Sequence, residues 1–381
     1  MPTSIGYAYR DPRTDFEALP SWSDQPPESR IRGWPHPLVT YQIGQIMVDN
    51  ADVLPVGVVA GNQWFSDCLQ YLPPHWHEAA WMQQIAGHRL IRDLDGLRLE
   101  ADHPPDPVIL KGAWCVLNDL VGCRNIAHFF RDELPQLVSI HHLQKADPSL
   151  KVLTRPSRLA NIALLRELLI PRSSIHPRPY PAEVVTSAPP LRVESLRLQP
   201  LSFNGGQGFY PTFQAYDFWL ALNEYRLGLS LLREGLERRC GGGHGLEAPW
   251  ICFSRDLHRA TEAQQGRTYT NYPHLLEALS NHGVIVLDPG QFPIDQLYSL
   301  LRHARGFVGI HGAALANALL ASPGRRVVEI RSYTGVSCNL ELLGKAAGLD
   351  WRCIATPRAP DGSARGVIPI DTVLSLIKER P

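Results

Sequence analysis

Runs of apolar residues in this chain alternate with segments that repeat their apolar positions every three or four residues. Short apolar runs typical of buried strands occur at 53–61, 114–119, 150–154, 250–254, 284–288, 307–312, 326–330 and 351–355. Helical spacing predicts helices at 125–144, 159–169, 215–239, 274–282, 294–305, 313–321, 338–347 and 372–378. Regular alternation of strand and helix predicts an α/β fold with doubly wound parallel sheets.

Glycine- and proline-rich segments divide the chain. Residues 1–40 carry many prolines without a period, which predicts an extended N-terminal arm. Residues 171–212 are typical of loops and short strands, and the CGGGHG run at 240–245 ends a helix and predicts a linker. We therefore expect an N-terminal domain at 41–240 and a C-terminal domain at 241–381, with the last helix packing back on the N-terminal domain.

The amino-acid composition bears on which ligands the protein can be expected to bind. The 381 residues carry 37 basic and 37 acidic side chains, so the chain lacks the positive field that duplex nucleic acid requires. Only 5 of the basic residues are lysines; this arginine bias suits phosphate recognition, but we favour a GC-rich genome as its explanation.

Sequence features also bear on the compartment. The 7 cysteines are scattered without C-x-x-C spacing, which indicates a reducing compartment. Neither a signal segment nor an apolar run long enough to span a membrane is present, so we expect a cytoplasmic protein. Peripheral association with the inner face of a membrane and the oligomeric state stay open.

The run GIHGAALAN, residues 309–317, stands where a strand turns into a helix. Ligands of parallel sheets bind at the carboxyl ends of the strands, where free N–H groups of the following helix hold phosphate. Gly312, Ala313 and Ala314 would let a diphosphate approach the backbone, and His311 could donate to it. The alternative is a tight turn whose small residues serve packing only.

Two further segments offer polar side chains at strand ends. Glu329 in the strand VVEIR could accept two hydroxyl groups of a ribose, or could form an ion pair with Arg326 or Arg331. In the loop that follows the strand at 250–254, Arg255 and Arg267 could neutralise a leaving diphosphate, or could lie on a solvated surface.

His128 and Asp132 are four residues apart on a predicted helix. This spacing places both side chains on one face, where a histidine beside a carboxylate can act as a general base. The alternative is a solvated pair with Arg124 or Arg131.

Other catalytic patterns are absent from the sequence. The HWHE run at 75–78 and the doublet His141–His142 lack a third ligand at a defined spacing, so we predict no metal site. No D-x-D motif stands near a strand end, and neither the G-x-S-x-G turn of hydrolases nor a P-loop occurs.

Taken together, these motifs resemble glycosyltransferase family 61. The segments that carry the resemblance are Asn125 to Leu137 (NIAHFFRDELPQL), Ser254-Arg255 with Arg267 and Asn271, Gln296, Ala304 to Asn317, Pro323-Gly324 and Val327 to Ile330. The chain departs from the family pattern at Ile126, where the family has an aromatic residue, at Tyr272, where it has an acid, and at Ala314, where it has glycine.

The resemblance implies a GT-B fold, in which two Rossmann-like domains face a cleft. It implies an inverting transferase that uses a nucleotide sugar, with UDP expected, and neither metal nor other cofactor. The N-terminal domain would bind a glycan or lipid-linked glycan acceptor for a surface polysaccharide such as capsule or lipopolysaccharide. The donor would lie in the C-terminal domain, against Arg255, Arg267, Asn271, His311, Gly312, Ala313, Ala314, Asn317 and Glu329.

For the base that deprotonates the acceptor, the resemblance leaves two candidates, of which we favour Asp132 over His128. Two rival functions stay open from the sequence. A metal-dependent hydrolase would use the histidine-rich N-terminal half, and a non-catalytic member would bind a nucleotide sugar or glycan as a scaffold.

Overall fold

The structure is a computed structural model that describes part of the chain. The described residues are 5–9, 17–18, 38–40, 44–54, 57–60, 63–66, 88–93, 96–101, 106–117, 119, 125–157, 159–178, 191–198, 218–220, 222–240, 249–254, 269–332, 339–356 and 366–379.

The first part of the chain contains thirteen of the described strands. In order they are β1 (Ile5–Tyr9), β2 (Glu17–Ala18), β3 (Leu38–Thr40), β4 (Gly44–Leu54), β5 (Gly57–Ala60), β6 (Gln63–Ser66), β7 (His88–Asp93), β8 (Gly96–Ala101), β9 (Val108–Val116), β10 (Lys151–Thr154), β11 (Ile175–Pro177), β12 (Leu191–Leu198) and β13 (Phe218–Leu220). Strands β3 and β13 pair with each other, and the others form one 11-stranded sheet, the N-terminal sheet.

The N-terminal sheet is mixed. Strands β11, β10, β9 and β12 run parallel in that order, whereas β12 and β4 are antiparallel, as are β4, β5 and β6 along the sheet. The parallel strands are the Rossmann-like portion, because helices connect β9 to β10 and β10 to β11. The run at 53–61, predicted as one strand, contributes to two antiparallel strands separated by Pro55 in the sequence.

Helices of the first part lie where the sequence predicts them, except that residues 218–220 of the helix predicted at 215–239 form β13 and this helix begins at Leu222. They are α1 (Ile126–His128), a π-helical segment (Phe129–Glu133), α2 (Leu134–Ala146), α3 (Ala160–Leu169), a 3-10 turn (Arg172–Ser174) and α4 (Leu222–Cys240). The first three elements form one continuous helix in place of the helix predicted at 125–144.

The π-helical segment has a local cause in the sequence. Pro135 has no N–H group, so it cannot donate a hydrogen bond to the carbonyl one helical turn before it. The N–H of Leu134 bonds instead to the carbonyl of Phe129, five residues earlier. The sequence predicts a kink at Pro135, and the structure places the irregular turn directly before this residue. Such π-bulges are frequent at functional sites.

The second part of the chain folds around a parallel sheet, the C-terminal sheet. Its elements are β14 (Trp250–Phe253), α5 (Tyr272–Asn281), β15 (Ile285–Leu287), a 3-10 turn (Pro289–Gln291), α6 (Ile294–Leu301), β16 (Gly306–Ile310), a 3-10 helix (Ala313–Leu320), β17 (Arg326–Ser332), α7 (Asn339–Ala346), β18 (Asp350–Thr356) and α8 (Ile370–Lys378). The strand order is β15-β14-β16-β17-β18, and every pair is parallel. The predicted α/β class with parallel sheets is confirmed.

Helix α4 packs on both parts of the chain. It contacts α2 and α3 beside the N-terminal sheet and α6 beside the C-terminal sheet. Tyr225 donates to the carbonyl of Leu343 at 3.1 Å, and Arg233 donates to the carbonyl of Leu319 at 2.9 Å. Residues of both parts share one hydrophobic cluster, which holds α4 between the two sheets. The predicted boundary between residues 240 and 241 stays a prediction.

Elements near both ends of the chain are attached to the two sheets, one as a strand and one as a packed helix. Strand β1, within the segment predicted to be an arm, pairs with β6 and β8. Helix α8 packs on α5 and β17, and its predicted contact with the N-terminal domain stays a prediction. Within the described part of the chain, no helix combines the length and apolarity needed to cross a membrane.

Candidate functional site

The order of the C-terminal strands fixes where a ligand would bind. The first strand in sequence, β14, lies between β15 and β16, so the chain winds in opposite directions from this point. Ligands of open parallel sheets bind outside the carboxyl ends of the strands at such a switch point. Ser254 follows β14 there, and His311 follows β16. Arg255 and Arg267, both predicted to bind the diphosphate, lie outside the described residues.

The turn after β16 has a backbone that requires glycine. The N–H of His311 continues the sheet by donating to the carbonyl of Ile330 at 2.9 Å. Gly312 then adopts φ 153° and ψ 179°, a conformation found almost only in glycine. The 3-10 helix begins directly afterwards, and its first residues, Ala313 and Ala314, are half-buried. Small side chains at this point leave the N–H groups of the first turn accessible at close range.

Glu329 is fully buried and is held by four donors. Its Oε1 contacts Nδ1 of His311, and its Oε2 accepts from Arg331 at 2.8 Å, from Trp351 at 2.7 Å and from the Cys353 thiol at 3.5 Å. Burial alone would raise the pKa of Glu329, but the bond to His311 and the charge of Arg331 lower it to about 2. The carboxylate is therefore ionised at any physiological pH and is directed at His311 rather than at solvent.

Two asparagines predicted to bind the nucleotide, Asn271 and Asn317, form hydrogen bonds to the backbone in the structure, and their predicted contact with the nucleotide stays a prediction. The side chain of Asn271 both donates to the carbonyl and accepts from the N–H of Ile368, each at 2.8 Å. Asn317 is buried and donates to the carbonyl of Ala314 at 2.8 Å. Asn271 thus ties the start of α5 to the segment before α8, and Asn317 fixes the 3-10 helix after Gly312.

The N-terminal half of the site begins with a helix cap. The side-chain oxygen of Asn125 accepts from the N–H groups of Ala127 at 2.9 Å and His128 at 3.5 Å. Asparagine is among the best residues at this position because it satisfies N–H groups that lack a partner within the helix. The cap fixes the first turn of the helix that carries His128.

Replacing Asn125 by alanine is expected to lower the free energy of unfolding by about 1 kcal/mol, because the first-turn N–H groups lose their acceptor. Asn125→Asp, which keeps an acceptor oxygen, is the matched control and should unfold like the wild type. Urea denaturation followed by circular dichroism measures both variants. Equal stability of the alanine variant and the wild type would contradict the capping role.

His128, Arg131 and Asp132 form a compact polar cluster on this helix. Nδ1 of His128 lies 2.9 Å from Oδ2 of Asp132, and Arg131 donates to both carboxylate oxygens, at 2.5 Å and 2.8 Å. Nη2 of Arg131 also lies 2.8 Å from Nδ1 of His128. The side chain of His128 is 15% exposed and that of Asp132 only 9%, so the histidine is the more accessible of the two. The solvated surface pair considered from the sequence is therefore excluded.

The cluster shifts both ionisable groups. Burial, and then the charge of Arg131, lower the pKa of His128, although Asp132 acts in the opposite direction. Burial would raise the pKa of Asp132, but Arg131 and His128 together hold it below its usual value. At neutral pH the histidine is therefore uncharged and the aspartate is an ionised, arginine-bound carboxylate.

A fully buried ionic network lies behind this cluster. Arg166 donates to Glu133 at 2.8 Å and to Asp119 at 3.1 Å, while Arg155 donates to Asp119 at 2.6 Å. Asp119 and Arg155 stand at the carboxyl ends of β9 and β10, and Glu133 belongs to the π-helical segment. The network thus fastens the irregular turn that carries Asp132 to the edge of the N-terminal sheet.

The two halves of the site meet. Helix α1, which ends at His128, packs against the 3-10 helix that follows His311 and Gly312. Arg233 of α4 holds the far end of the same 3-10 helix through the carbonyls of Leu319 and Leu320. The fold therefore brings together two motifs that lie more than 180 residues apart in the sequence.

Sequence reasoning missed several of these residues. Arg131 was considered only as a surface partner, and Trp351 only as a strand residue. Asp119 ends one predicted strand and Arg155 directly follows another, so the rule that ligands lie at carboxyl ends of strands could have identified them. No sequence signal pointed to the bond between Trp351 and Glu329.

Two of the histidines considered for metal binding, His141 and His142, lie side by side on α2. His141 contacts the carbonyl of Leu169 through Nδ1 at 2.7 Å, and the HWHE run at 75–78 lies outside the described residues. The described part of the chain contains no group of three histidine, cysteine or acidic side chains placed to hold a metal ion.

Comparison with known proteins adds a family. The family Glycosyltransferase 61 matches residues 126–328, more than half of the chain. No curated protein sequence matches. Among solved structures, the heptosyltransferase WaaC of E. coli with ADP is similar at 10% identity and a TM-score of 0.35, over 71% of this chain and 99% of that chain.

A second similar structure is the iron-containing dodecameric glycosyltransferase TibC of enterotoxigenic E. coli, at 13% identity and a TM-score of 0.31. It matches over 89% of this chain and 87% of that chain. Both TM-scores are too low for any fold or function to be inferred from these two proteins.

Proposed function

This chain belongs to glycosyltransferase family 61, and from that premise we propose that it moves a sugar from a nucleoside diphosphate sugar to a hydroxyl group of a glycan acceptor, with inversion and without a metal ion. UDP is the proposed nucleotide, and the acceptor is a glycan or lipid-linked glycan of a surface polysaccharide. The observation that carries the proposal is the packing of α1, which ends at His128, against the 3-10 helix after His311 and Gly312.

The donor diphosphate is proposed to lie at the switch point of the C-terminal sheet. Its oxygens would accept from His311 and from the N–H groups of Ala313 and Ala314, and Arg255 would add a positive charge. The positive end of the helix favours an anion there, and the glycine at position 312 leaves room for it.

Glu329 is proposed to orient His311 rather than to bind the ribose. Full burial and four donors leave its oxygens directed inward, and one of them contacts Nδ1 of His311. A carboxylate in this position fixes the imidazole through Nδ1, as carboxylates do for histidines in many sites. With both ring nitrogens protonated, His311 then presents its Nε2 N–H as a donor to the diphosphate.

His128 is the proposed general base, although the sequence favours Asp132. Arg131 binds both oxygens of Asp132 and helps to lower its pKa, which makes the carboxylate a weak base. His128 is uncharged and more exposed. In the proposed tautomer, Nδ1 of His128 carries a proton and donates to Asp132, so Arg131 donates to Asp132 rather than to Nδ1. The lone pair of the imidazole is then on Nε2, where it can take the proton of an acceptor hydroxyl.

In the proposed reaction, the acceptor hydroxyl attacks the anomeric carbon of the donor sugar. Nε2 of His128 takes the hydroxyl proton as the acceptor oxygen forms a bond to the anomeric carbon. The bond from that carbon to the diphosphate oxygen breaks on the opposite face, and its electron pair leaves with the nucleoside diphosphate. Donors placed at the diphosphate stabilise this charge as it develops, which is the largest single effect in many enzymes.

Replacing His311 by alanine is expected to weaken binding of UDP by about 10- to 100-fold, since a hydrogen bond to a charged group contributes about 1.5–3 kcal/mol. Isothermal titration calorimetry measures the affinity. His282→Ala is the matched control, because His282 is exposed at the end of α5. If UDP bound the His311 variant as tightly as it binds the wild type, the diphosphate site would be misplaced.

A further inference from the structure

Glu329 needs a fixed second oxygen if it is to hold His311. Its Oε1 contacts His311, so the direction of this contact depends on what holds Oε2. The Cys353 thiol is a weak donor at 3.5 Å, and Arg331 divides its guanidinium between Glu329 and Glu341, which lies 3.0 Å from Nη1. Neither group alone fixes the carboxylate.

Trp351 is the rigid donor to that oxygen. Its indole Nε1 donates to Oε2 of Glu329 at 2.7 Å, and the residue is only 3% exposed. Strand register explains the contact: Trp351 lies opposite Val327 on β17, two residues from Glu329 on the same face of the sheet. Long side chains reach such diagonal neighbours.

Helix α7 is shaped around this indole. A Cβ atom at Gly344 would lie 1.9 Å from Cε3 of Trp351, so any other residue there would displace the ring or the helix. Glycine inside a helix costs stability relative to alanine. The close approach of the indole accounts for its presence at position 344.

We propose that Trp351 is a positioning residue for nucleotide binding, which acts through Glu329 on His311. The proposal rests on the proposed function, since it requires His311 to contact the diphosphate. Loss of the indole N–H would leave the buried carboxylate free to rotate, and His311 would lose its fixed orientation. Trp351 itself touches no substrate.

A double-mutant cycle with calorimetric binding of UDP tests this role, because coupling between two residues isolates an effect that one exerts through the other. Trp351→Phe should weaken binding about fivefold in the wild-type background and less than twofold in the His311→Ala background. Trp250→Phe, which alters a buried tryptophan packed on Gly306, should leave the affinity unchanged.

A second variant guards against a folding defect. Benzothienylalanine at position 351 keeps the shape of tryptophan and replaces the N–H by sulfur, so it should reproduce the loss of affinity. Equal losses in both backgrounds, or no loss with the isostere, would overturn the role of Trp351 while leaving the proposed function intact. Failure of the wild type to bind any nucleotide would instead overturn the proposed function and this inference together.

Discussion

Replacing His128 by glutamine is expected to lower kcat by a factor of about 10²–10⁴, the usual contribution of a general base. Glutamine keeps a polar side chain of similar reach but cannot take a proton at neutral pH. The affinity for the nucleotide should stay within about twofold, because the proposed diphosphate site is at the other sheet. Initial rates of nucleotide release, with donor and acceptor both saturating, measure the effect.

Asp132 supplies the control for this variant. Asp132→Asn should lower kcat as well, since the imidazole loses the carboxylate that orients it. In the double variant, the two losses should not add, because residues that act as one unit show strongly non-additive effects. Additive losses, or a His128→Gln variant that keeps most of its kcat, would show that the base lies elsewhere.

The pH dependence of kcat provides a second test of His128 as the general base. An uncharged histidine is the active form of the base, so activity falls as the pH falls through the pKa of His128. Burial and Arg131 lower this pKa below its usual value of 6.5. The wild type should therefore keep more than half of its maximal kcat at pH 6.5, and the acid limb should be absent from the His128→Gln variant.

Replacing Arg166 by methionine is expected to destabilise the N-terminal part of the protein by about 3–5 kcal/mol. Arg166 is the shared partner of Asp119 and Glu133, both fully buried, and its removal leaves Glu133 without this donor and Asp119 with Arg155 alone. Arg172→Met is the matched control, because Arg172 is 85% exposed and lies 3.6 Å from Glu167. This surface pair should contribute less than about 1 kcal/mol.

In the wild type, Glu133 is expected to make the free energy of unfolding depend on pH. Burial, more strongly than Arg166 opposes it, raises the pKa of Glu133 from 4.5 to about 8. Between these two values the folded protein binds a proton that the unfolded chain does not, so this group favours folding less as the pH rises from 4.5 to 8. Urea denaturation at pH 6 and pH 8 measures the free energy of unfolding at each pH. The Glu133→Gln variant should lack this part of the pH dependence. For the Arg166 prediction, an Arg166→Met variant as stable as the wild type would contradict the stabilising role of the buried ionic network.

The periodicity of the sequence predicted most of the C-terminal fold because the central strands β14, β16 and β17 are buried on both faces over most of their length. Its apolar runs are therefore continuous and lie between amphipathic helices. The apolar run at 326–330 predicts β17, and the helical spacing at 294–305 predicts α6. Both predictions agree with the observed bounds to within a few residues. In the N-terminal part, the antiparallel pairing of β4 with β12 joins segments about 140 residues apart, and no local pattern encodes such a pairing.

The site could be predicted only as far as local chemistry shows it. The spacing of His128 and Asp132 placed them on one helical face, and the turn at His311 and Gly312 identified the phosphate site proposed here. The inward direction of Glu329 and the backbone bonds of Asn271 depend on residues distant in sequence, Trp351 and Ile368. Contacts of this kind arise from tertiary packing and leave no periodic trace in the sequence.

The most direct test of the account follows a panel of nucleoside diphosphate sugars, in the presence of EDTA, by proton NMR. We predict that one donor, with UDP as its nucleotide, loses its sugar to an acceptor or slowly to water. The first anomer released should have the configuration opposite to that of the donor, and the His128→Gln variant should react at least about 100-fold more slowly. Turnover that stops on addition of EDTA, or a product that retains the donor configuration, would contradict the account.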